Sequence, residues 1–573
     1  MAEGVIIGKT DDGQDAVLTY DQRRQGSYVI GVNGTGKTTL LRQIACSDML
    51  QEPKHGLCVI DPHGDLIDDI LALVPENRLD DVILFDPSDE ENPFCLNLFA
   101  PVPAPEEIGR VASEIVAIFR KIFGGAWTPE IEGVIQNATL TLLCRPRDFP
   151  LAGKPWTPAL DEIPALLAME MVPEEDRGKP PWKRNVTTYR SQFYQLLQEQ
   201  DQIPVWEFWN YSFDPLTPRP RSELTFAVLN QVRRLLANPV VRNIVGQTES
   251  KLDLSDVMND GKILLVKLSK GLLGEANSAF LGSVIVAKLV VAVFARAAPP
   301  SEERKPFHII VDEFQNFAIS SFPTLLSEAR KYGVDLVVAH QYRDQLRDWV
   351  QGATENAANT ICFRVGGGDA LELAREFDAT PPPGPAEMEP LYRRWISENR
   401  MPGYEHEPSD GEPLYEQRPA WSYWEHTGQT WNSKAKVYHH WYVQHRGSTL
   451  YRRTRGRPRP YSDVYQEIAN GLTHLPNFHA LAKLSGSDSP PLECGFRTTE
   501  WPAKHENAIQ RQKRQQRNRQ VVSKNTVRDF TRPRKDVVAK FKARYETMLR
   551  SIGMSWSPDE PLPKPQVLYE EDD

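Results

Sequence analysis

The sequence predicts an α/β fold in which a mainly parallel sheet is interrupted by a helical insertion. Three observations predict it. Short apolar runs, such as Ser27–Ile30, Gly56–Ile60, Phe307–Val311 and Val334–Ala339, alternate with helical patterns, as strands buried on both faces of a parallel sheet do. A glycine-rich segment, Gly31-Val32-Asn33-Gly34-Thr35-Gly36-Lys37-Thr38, follows the first of these runs and opens a helical pattern. Residues 101–255 then carry stripes at helical spacing only, beginning with Ile108, Val111, Ile115, Ile118, Phe119 and Ile122.

The elements follow in order. Residues 1–100 read as the first part of the sheet domain. Its helix after the glycine-rich segment carries Leu40, Leu41, Ile44 and Cys46, and its next strands are Gly56–Ile60 and Asp81–Phe85. The insertion over 101–255 has further stripes at Ile131–Leu143, Tyr189–Leu197 and Leu224–Leu236, broken by a proline-rich stretch from Pro146 to Pro181. The sheet resumes over 256–379 with Lys262–Leu268, a long helix over 276–298, the strand Phe307–Val311, a helix over 321–331, the strand Val334–Ala339 and a strand at Thr360–Val365. A second, irregular insertion rich in Pro, Trp and Tyr spans 380–465, residues 466–502 return to the sheet through Leu472–Leu484, and a basic tail with an acidic end fills 503–573.

A chain of 573 residues exceeds what one hydrophobic core supports. Its six scattered cysteines lack any C-x-x-C pair, which argues against a zinc site or a disulfide framework and for a reducing, cytoplasmic setting. No signal peptide is visible, and the longest apolar run, Ala279–Ala298, is broken by Gly282, Ser283, Lys288 and Arg296, so it reads as a core helix and no membrane span is expected. The net charge of −10 is uneven: residues 504–544 hold fourteen Lys/Arg against three Asp/Glu, a net of +11 that leaves −21 for the rest. Such a tail is either a solvated helix or an arm that neutralises phosphates.

The glycine-rich segment fits G-x-x-x-x-G-K-[ST] in the strand–loop–helix context that makes the pattern a phosphate cradle. Its expected nucleotide-binding residues are Gly31, Asn33, Gly34, Thr35, Gly36, Lys37, Thr38 and Thr39. The glycines let backbone N–H groups wrap an anion, the helix N-terminus adds partial positive charge, Lys37 reaches the β- and γ-phosphates of ATP and Thr38 ligates Mg²⁺. The apolar strand Phe307–Val311 ends in Asp312-Glu313. Asp312 suits the Mg²⁺ shell and Glu313 suits the general base that polarises the attacking water. Gln341, closing the next strand, is placed to orient water beside the γ-phosphate, and Arg330, at a helix end, to stabilise transition-state charge from a neighbouring subunit. Each has a plainer alternative: acids cap helices, and a terminal arginine complements the helix dipole.

These residues resemble a known family. Asp61-Pro62-His63-Gly64-Asp65, Asp312-Glu313-Phe314-Gln315-Asn316-Phe317, Ser327-Glu328-Ala329-Arg330-Lys331-Tyr332-Gly333 and Ala339-His340-Gln341-Tyr342 are similar to motifs of the TraG/TraD-type conjugative (type IV secretion) coupling proteins, a branch of the HerA/FtsK superfamily of P-loop ATPases. The stretches Gly261–Gly274 and Phe363–Phe377 add to the likeness. The resemblance implies a RecA-like motor domain with an inserted all-α domain, in a ring, usually hexameric, with ATP hydrolysed at subunit interfaces and DNA moved through the central channel. It implies Arg330 as the trans-acting finger, Gln341 as the γ-phosphate sensor and Arg375 as a further interface residue. The family normally begins with transmembrane helices, whereas here the motor begins within ten residues of the start. The expectation is therefore a soluble relative, cytoplasmic or recruited to the membrane by a secretion-channel, relaxase or nuclease partner. A secretion ATPase acting on protein cargo, and a HerA-like motor or scaffold working with a nuclease in DNA processing or phage defence, are the alternatives.

Candidate contacts to single- or double-stranded DNA lie in three places. Lys267 and Lys270 lie in or just after a motor strand. Arg452 and Arg453 belong to a run over 434–459 with eight Lys/Arg, no acids and interleaved Tyr438, Trp441, Tyr442 and Tyr451, although those aromatics equally suit a small core of their own. Arg514 and Arg517 represent the basic tail.

Overall fold

A computed structural model describes residues 4–377 with breaks at 11, 103–104, 146–149, 177–185 and 347, three-residue strands between 404 and 451, and residues 461–498 and 508–554 with a break at 486–491. The α/β expectation holds. Eleven strands form one sheet in the order Asp15–Thr19, Gly4–Lys9, Leu492–Arg497, His479–Leu484, Asn359–Cys362, Ser27–Ile30, Val334–His340, Phe307–Val311, Gly56–Asp61, Ile263–Lys267 and Val82–Phe85. The seven from Asn359–Cys362 onward are mutually parallel, and the other four pair antiparallel on one flank. Helices cover both faces, so the parallel strands read as unbroken apolar runs: Ser27–Ile30, Gly56–Asp61 and Phe307–Val311 are buried at every position. The carboxyl ends of all seven open on one edge of the sheet, where ligands of open α/β folds bind.

The hairpin Gly4–Lys9/Asp15–Thr19 has no counterpart in the sequence reading. The return to the sheet is confined to His479–Leu484 and Leu492–Arg497; Leu472 instead lies in a helix, Tyr461–His474, that begins inside the segment assigned to the second insertion. The rest of that insertion contributes two small antiparallel pairs, Tyr404–His406 with Val437–His439 and Trp441–Val443 with Thr449–Tyr451, while Arg452 and Arg453 lie outside the described residues. The first insertion is built mainly of helices, led by Ile108–Phe123, Pro129–Leu143 and Pro218–Ala237, with two two-residue strand pairs among them. Glu275–Ala295 is long and apolar enough to cross a membrane, and most of its residues are buried in the core. It packs against Ile108–Phe123, and Gly282 is where the Phe317 ring enters, since a Cβ there would lie 2.2 Å from Phe317 Cδ1.

The described part of the basic tail, residues 508–554, is helical, and it is anchored as well as solvated. Ala508–Phe530 and Arg534–Ser551 are helices packed on the chain's own acidic surface. Arg511 pairs with Asp69 at 2.7 Å, Arg517 with Glu76 at 2.7 Å, and Arg519 with Asp86 at 2.9 Å. Arg514 donates to the Ala72 carbonyl. A window count of charge misses this because the complementary carboxylates lie more than 400 residues away along the chain. The first tail helix also covers the edge strand Val82–Phe85, where Leu84 N–H donates to Thr526 Oγ1 at 3.1 Å.

The second tail helix reaches the insertion. There Glu162, fully buried, accepts from Arg145 at 2.6 Å, Tyr189 at 2.7 Å, Trp156 at 2.9 Å and Arg544 at 2.9 Å, while Arg544 also meets Asp161 at 3.0 Å. Burial alone pushes Glu162 upward, but Arg145 and Arg544 hold it below the usual carboxylate range. Removing one partner of a buried, hydrogen-bonded charge group leaves the others desolvated and unpaired. Arg544→Met is therefore expected to cost about 3–5 kcal/mol in denaturant unfolding. The exposed Arg517→Met should fall within about 1 kcal/mol of the parent, which chemical denaturation of both variants checks.

Candidate nucleotide site

The phosphate loop lies between the buried strand Ser27–Ile30 and the helix Lys37–Met49. Gly34 and Gly36 hold φ of 75° and 120°, conformations open to glycine and strained for other residues. Thr35 Oγ1 donates to the Val32 carbonyl at 2.7 Å and closes the turn. The first-turn amides of the following helix have no carbonyl behind them, so they face an incoming anion. Thr38 and Asn33 are exposed at the mouth and Thr39 is half-buried. Lys37 is only 6% exposed, and its Nζ donates to the Gly31 carbonyl at 2.5 Å and to Val32 at 3.3 Å.

Asp312 and Glu313 stand at the end of Phe307–Val311, each 5% exposed. Beside them Asp61 ends the neighbouring strand, its carboxylate accepting backbone N–H groups of His63 and Gly64 at 2.8 Å and of Leu66 at 2.9 Å. Burial pushes Asp61 up despite those bonds. Burial, then the charges of Asp61 and Glu313, push Asp312 up to about 7. Burial lowers the Lys37 ammonium, against the pull of Glu313 and then Asp312. Three carboxylates and one ammonium thus share a dry pocket with negative charge in excess.

Glu313 is the most constrained of the group. Its backbone is left-handed, φ 46° and ψ 48°, a conformation that stores strain in a residue with a side chain. Its Oε1 accepts from Gln341 Nε2 at 2.9 Å and its Oε2 from Gln315 Nε2 at 2.7 Å. Its carbonyl accepts from Asn316 Nδ2 at 2.7 Å, and Asn316 Oδ1 accepts from Lys270 Nζ at 2.6 Å. Lys121, on the insertion helix Ile108–Phe123, donates to the carbonyls of Gln315 at 3.1 Å and Ala318 at 2.8 Å. Next to Gln341, His340 is buried with Nε2 2.5 Å from Tyr28 Oη; burial, then the charges of Arg343 and Lys37, push its imidazole down to about 3, so it is neutral.

Lys37, Asp312, Glu313 and Gln341 therefore come together, and the remaining expected residues lie elsewhere. Arg330 is exposed just before the strand Val334–His340 begins, at the sheet edge opposite its own phosphate loop, with no ion pair among the described residues. Arg375 is exposed on Gly367–Phe377, lining a cleft of about 750 Å³ with Arg343, Glu372, Glu376 and Lys483. Lys267 pairs with Asp68 at 2.7 Å, and Lys270 is engaged by Asn316. Of the residues that hold Glu313, Gln315 and Asn316 fall inside a quoted motif without an assigned role. Lys121 had no signal in the sequence, being one lysine on an amphipathic helix.

This fold and this loop define the class: a P-loop α/β protein. Residues 306–377 match the family model described as the TraM recognition site of TraD and TraG, and over these residues the TraG/TraD-type reading of the motifs is borne out. Among solved structures, the chain is similar to the bacterial conjugative coupling protein TrwBdeltaN70, with 14% identity over 88% of this chain and 91% of that one and a TM-score of 0.49. It is similar to the plasmid coupling protein TrwB in complex with the non-hydrolysable GTP analogue GDPNP, with 15% identity over 89% and 92% and a TM-score of 0.49. VirB4 of Thermoanaerobacter pseudethanolicus matches at 13% identity over 66% and 89%, with a TM-score of 0.41. No curated protein matches the chain.

The Lys121 bonds are charge-assisted and each contributes about 1.5–3 kcal/mol. Lys121→Met should accelerate hydrogen exchange of the 313–318 backbone by roughly ten-fold or more, read by mass spectrometry, with little change at the phosphate loop.

Proposed function

We propose that this chain is an ATP hydrolase of the coupling-protein type, working as a ring with nucleotide sites completed by neighbouring subunits. The observation that carries this reading is the convergence of Lys37, Asp312 and Glu313, with Gln341 bonded to Glu313, at the carboxyl ends of adjoining strands. Backbone amides of the loop and Lys37 bind the β- and γ-phosphates of ATP. Thr38 and Asp312 are the residues that would hold Mg²⁺, which neutralises phosphate charge. The donor set fits such an ion: buried carboxylates stand beside the loop, and Mg²⁺ takes one or two carboxylates together with phosphate and water. Glu313, its carboxylate held from both sides, accepts the proton of the attacking water.

Arg330 supports the interface reading by position, since it is exposed before its strand begins, at the sheet edge opposite its own loop, and suits service to a neighbour's phosphate; Arg375, exposed near the end of its helix, suits the same boundary. A hexamer that moves DNA, cytoplasmic and recruited to a membrane channel or to a relaxase or nuclease partner, is the form proposed. The match to a TraM recognition site supports a relaxosome-type partner protein. One observation favours a second reading, with protein as cargo: Lys267, Lys270, Arg514 and Arg517 are all engaged within the chain.

Steady-state ATPase assays with and without single- and double-stranded DNA test the proposal. Glu313→Gln is expected to retain ATP binding and lose about 10²–10⁴-fold in kcat. Lys37→Ala and Arg330→Ala should each be inactive alone, and mixing them should restore activity, because one subunit's Arg330 then serves the other's intact loop. Absence of any restoration overturns the shared site. Hydrolysis indifferent to DNA overturns DNA as cargo.

A further inference from the structure

A second structure leans on the phosphate loop from the side away from the acids. The strands carrying Gln341 and Asp312 lie on one flank of Ser27–Ile30, and Asn359–Cys362 and His479–Leu484 lie on the other. At the head of His479–Leu484 stands Phe478. Its N–H donates to the Thr35 carbonyl at 2.6 Å and its carbonyl accepts from Thr498 N at 2.8 Å. Its ring lies directly against the loop: a Cβ on Gly36 would meet Phe478 Cα at 3.1 Å and Cδ1 at 3.2 Å. Arg364 ties the pieces together, donating to Asn477 Oδ1 at 2.8 Å while its carbonyl accepts from Val32 N at 2.8 Å.

Two features of Phe478 are unexplained by packing. Its backbone is left-handed, φ 68°, which is costly for an aromatic residue and persists only where the surroundings enforce it. The residue nevertheless remains 37% exposed instead of joining the core. The fold therefore holds an aromatic face open beside the phosphate cradle at a cost in backbone strain.

Resting on the nucleotide-binding reading above, we propose that Phe478 forms the nucleoside subsite, its ring stacking on the base of the bound nucleotide. The direction follows from the sheet. A triphosphate whose γ end lies toward Glu313 and Gln341 leaves the loop on the opposite flank, and that flank carries Phe478. Stacking on a π-face is tolerant of base identity, so this subsite takes purine nucleotides without strong preference between adenine and guanine.

The test compares binding of Mg·ATP with binding of Mg·tripolyphosphate, which has the phosphates and no nucleoside, by titration calorimetry. Phe478→Gly removes the ring while favouring the left-handed backbone, and Phe478→Trp restores an aromatic face. The expected result is roughly ten-fold weaker ATP binding for Phe478→Gly, unchanged tripolyphosphate binding, and recovery in Phe478→Trp. Unchanged ATP binding in Phe478→Gly overturns the subsite and leaves the nucleotide reading intact. Equal loss of ATP and tripolyphosphate assigns the ring to bracing the loop and also overturns it. Parent protein that binds neither probe removes the nucleotide reading itself, and the subsite with it.

Discussion

A lysine ammonium and three carboxylates are buried where the carboxyl ends of parallel strands meet the amino end of one helix, and much of the fold serves to keep them there. Charges in such a place are costly unless their neighbours are fixed. The sheet fixes them: Phe307–Val311 pairs in register with Gly56–Asp61 on one side and Val334–His340 on the other, which sets Asp312 level with Asp61 and brings the end of Val334–His340, just before Gln341, next to both. A register slip of one residue would turn every one of these side chains to the other face. Burial first, then the charges of Asp61 and Glu313, push Asp312 toward neutrality.

Around this cluster the chain is less modular than its segment order suggests. The insertion interrupts the sheet domain in sequence, yet one of its helices grips the turn that carries Glu313 through Lys121, and Glu114 of the same helix accepts from Ser321 Oγ at 2.6 Å. From the other side the loop after Ile263–Lys267 reaches the same turn through Lys270 and Asn316. A strained glutamate backbone held by contacts from two separate elements is a place where displacement of either element alters the site.

The parallel strands and the phosphate loop were legible because their signals are local: apolar runs, a fixed spacing, and acids at a strand end. The acid pair was found for the same reason. Residues whose roles depend on remote contacts were not legible. Phe478 carries no motif, and what ties it to the phosphate loop is a hydrogen bond to Thr35, more than 440 positions away. The Gly4–Lys9 hairpin was missed because its alternation is short and begins the chain's first described segment. The tail's partners within the chain were not legible because net charge over a window describes a segment's composition and says nothing of which acids it will meet. Arg514 and Arg519 look like phosphate ligands in isolation and are committed to Ala72, Asp68 and Asp86 in the fold.

That commitment bears on how the chain is made. The edge strand Val82–Phe85 and the buried acids Asp161 and Glu162 emerge early in synthesis, while Thr526 and Arg544, which complete them, emerge more than 380 residues later. At ribosomal rates of about 5–20 residues per second, the unfinished sheet edge and the incompletely paired acids wait tens of seconds for these partners. During that interval the nascent chain exposes a strand open to pairing with other chains, and a product that ends before Thr526 keeps both defects.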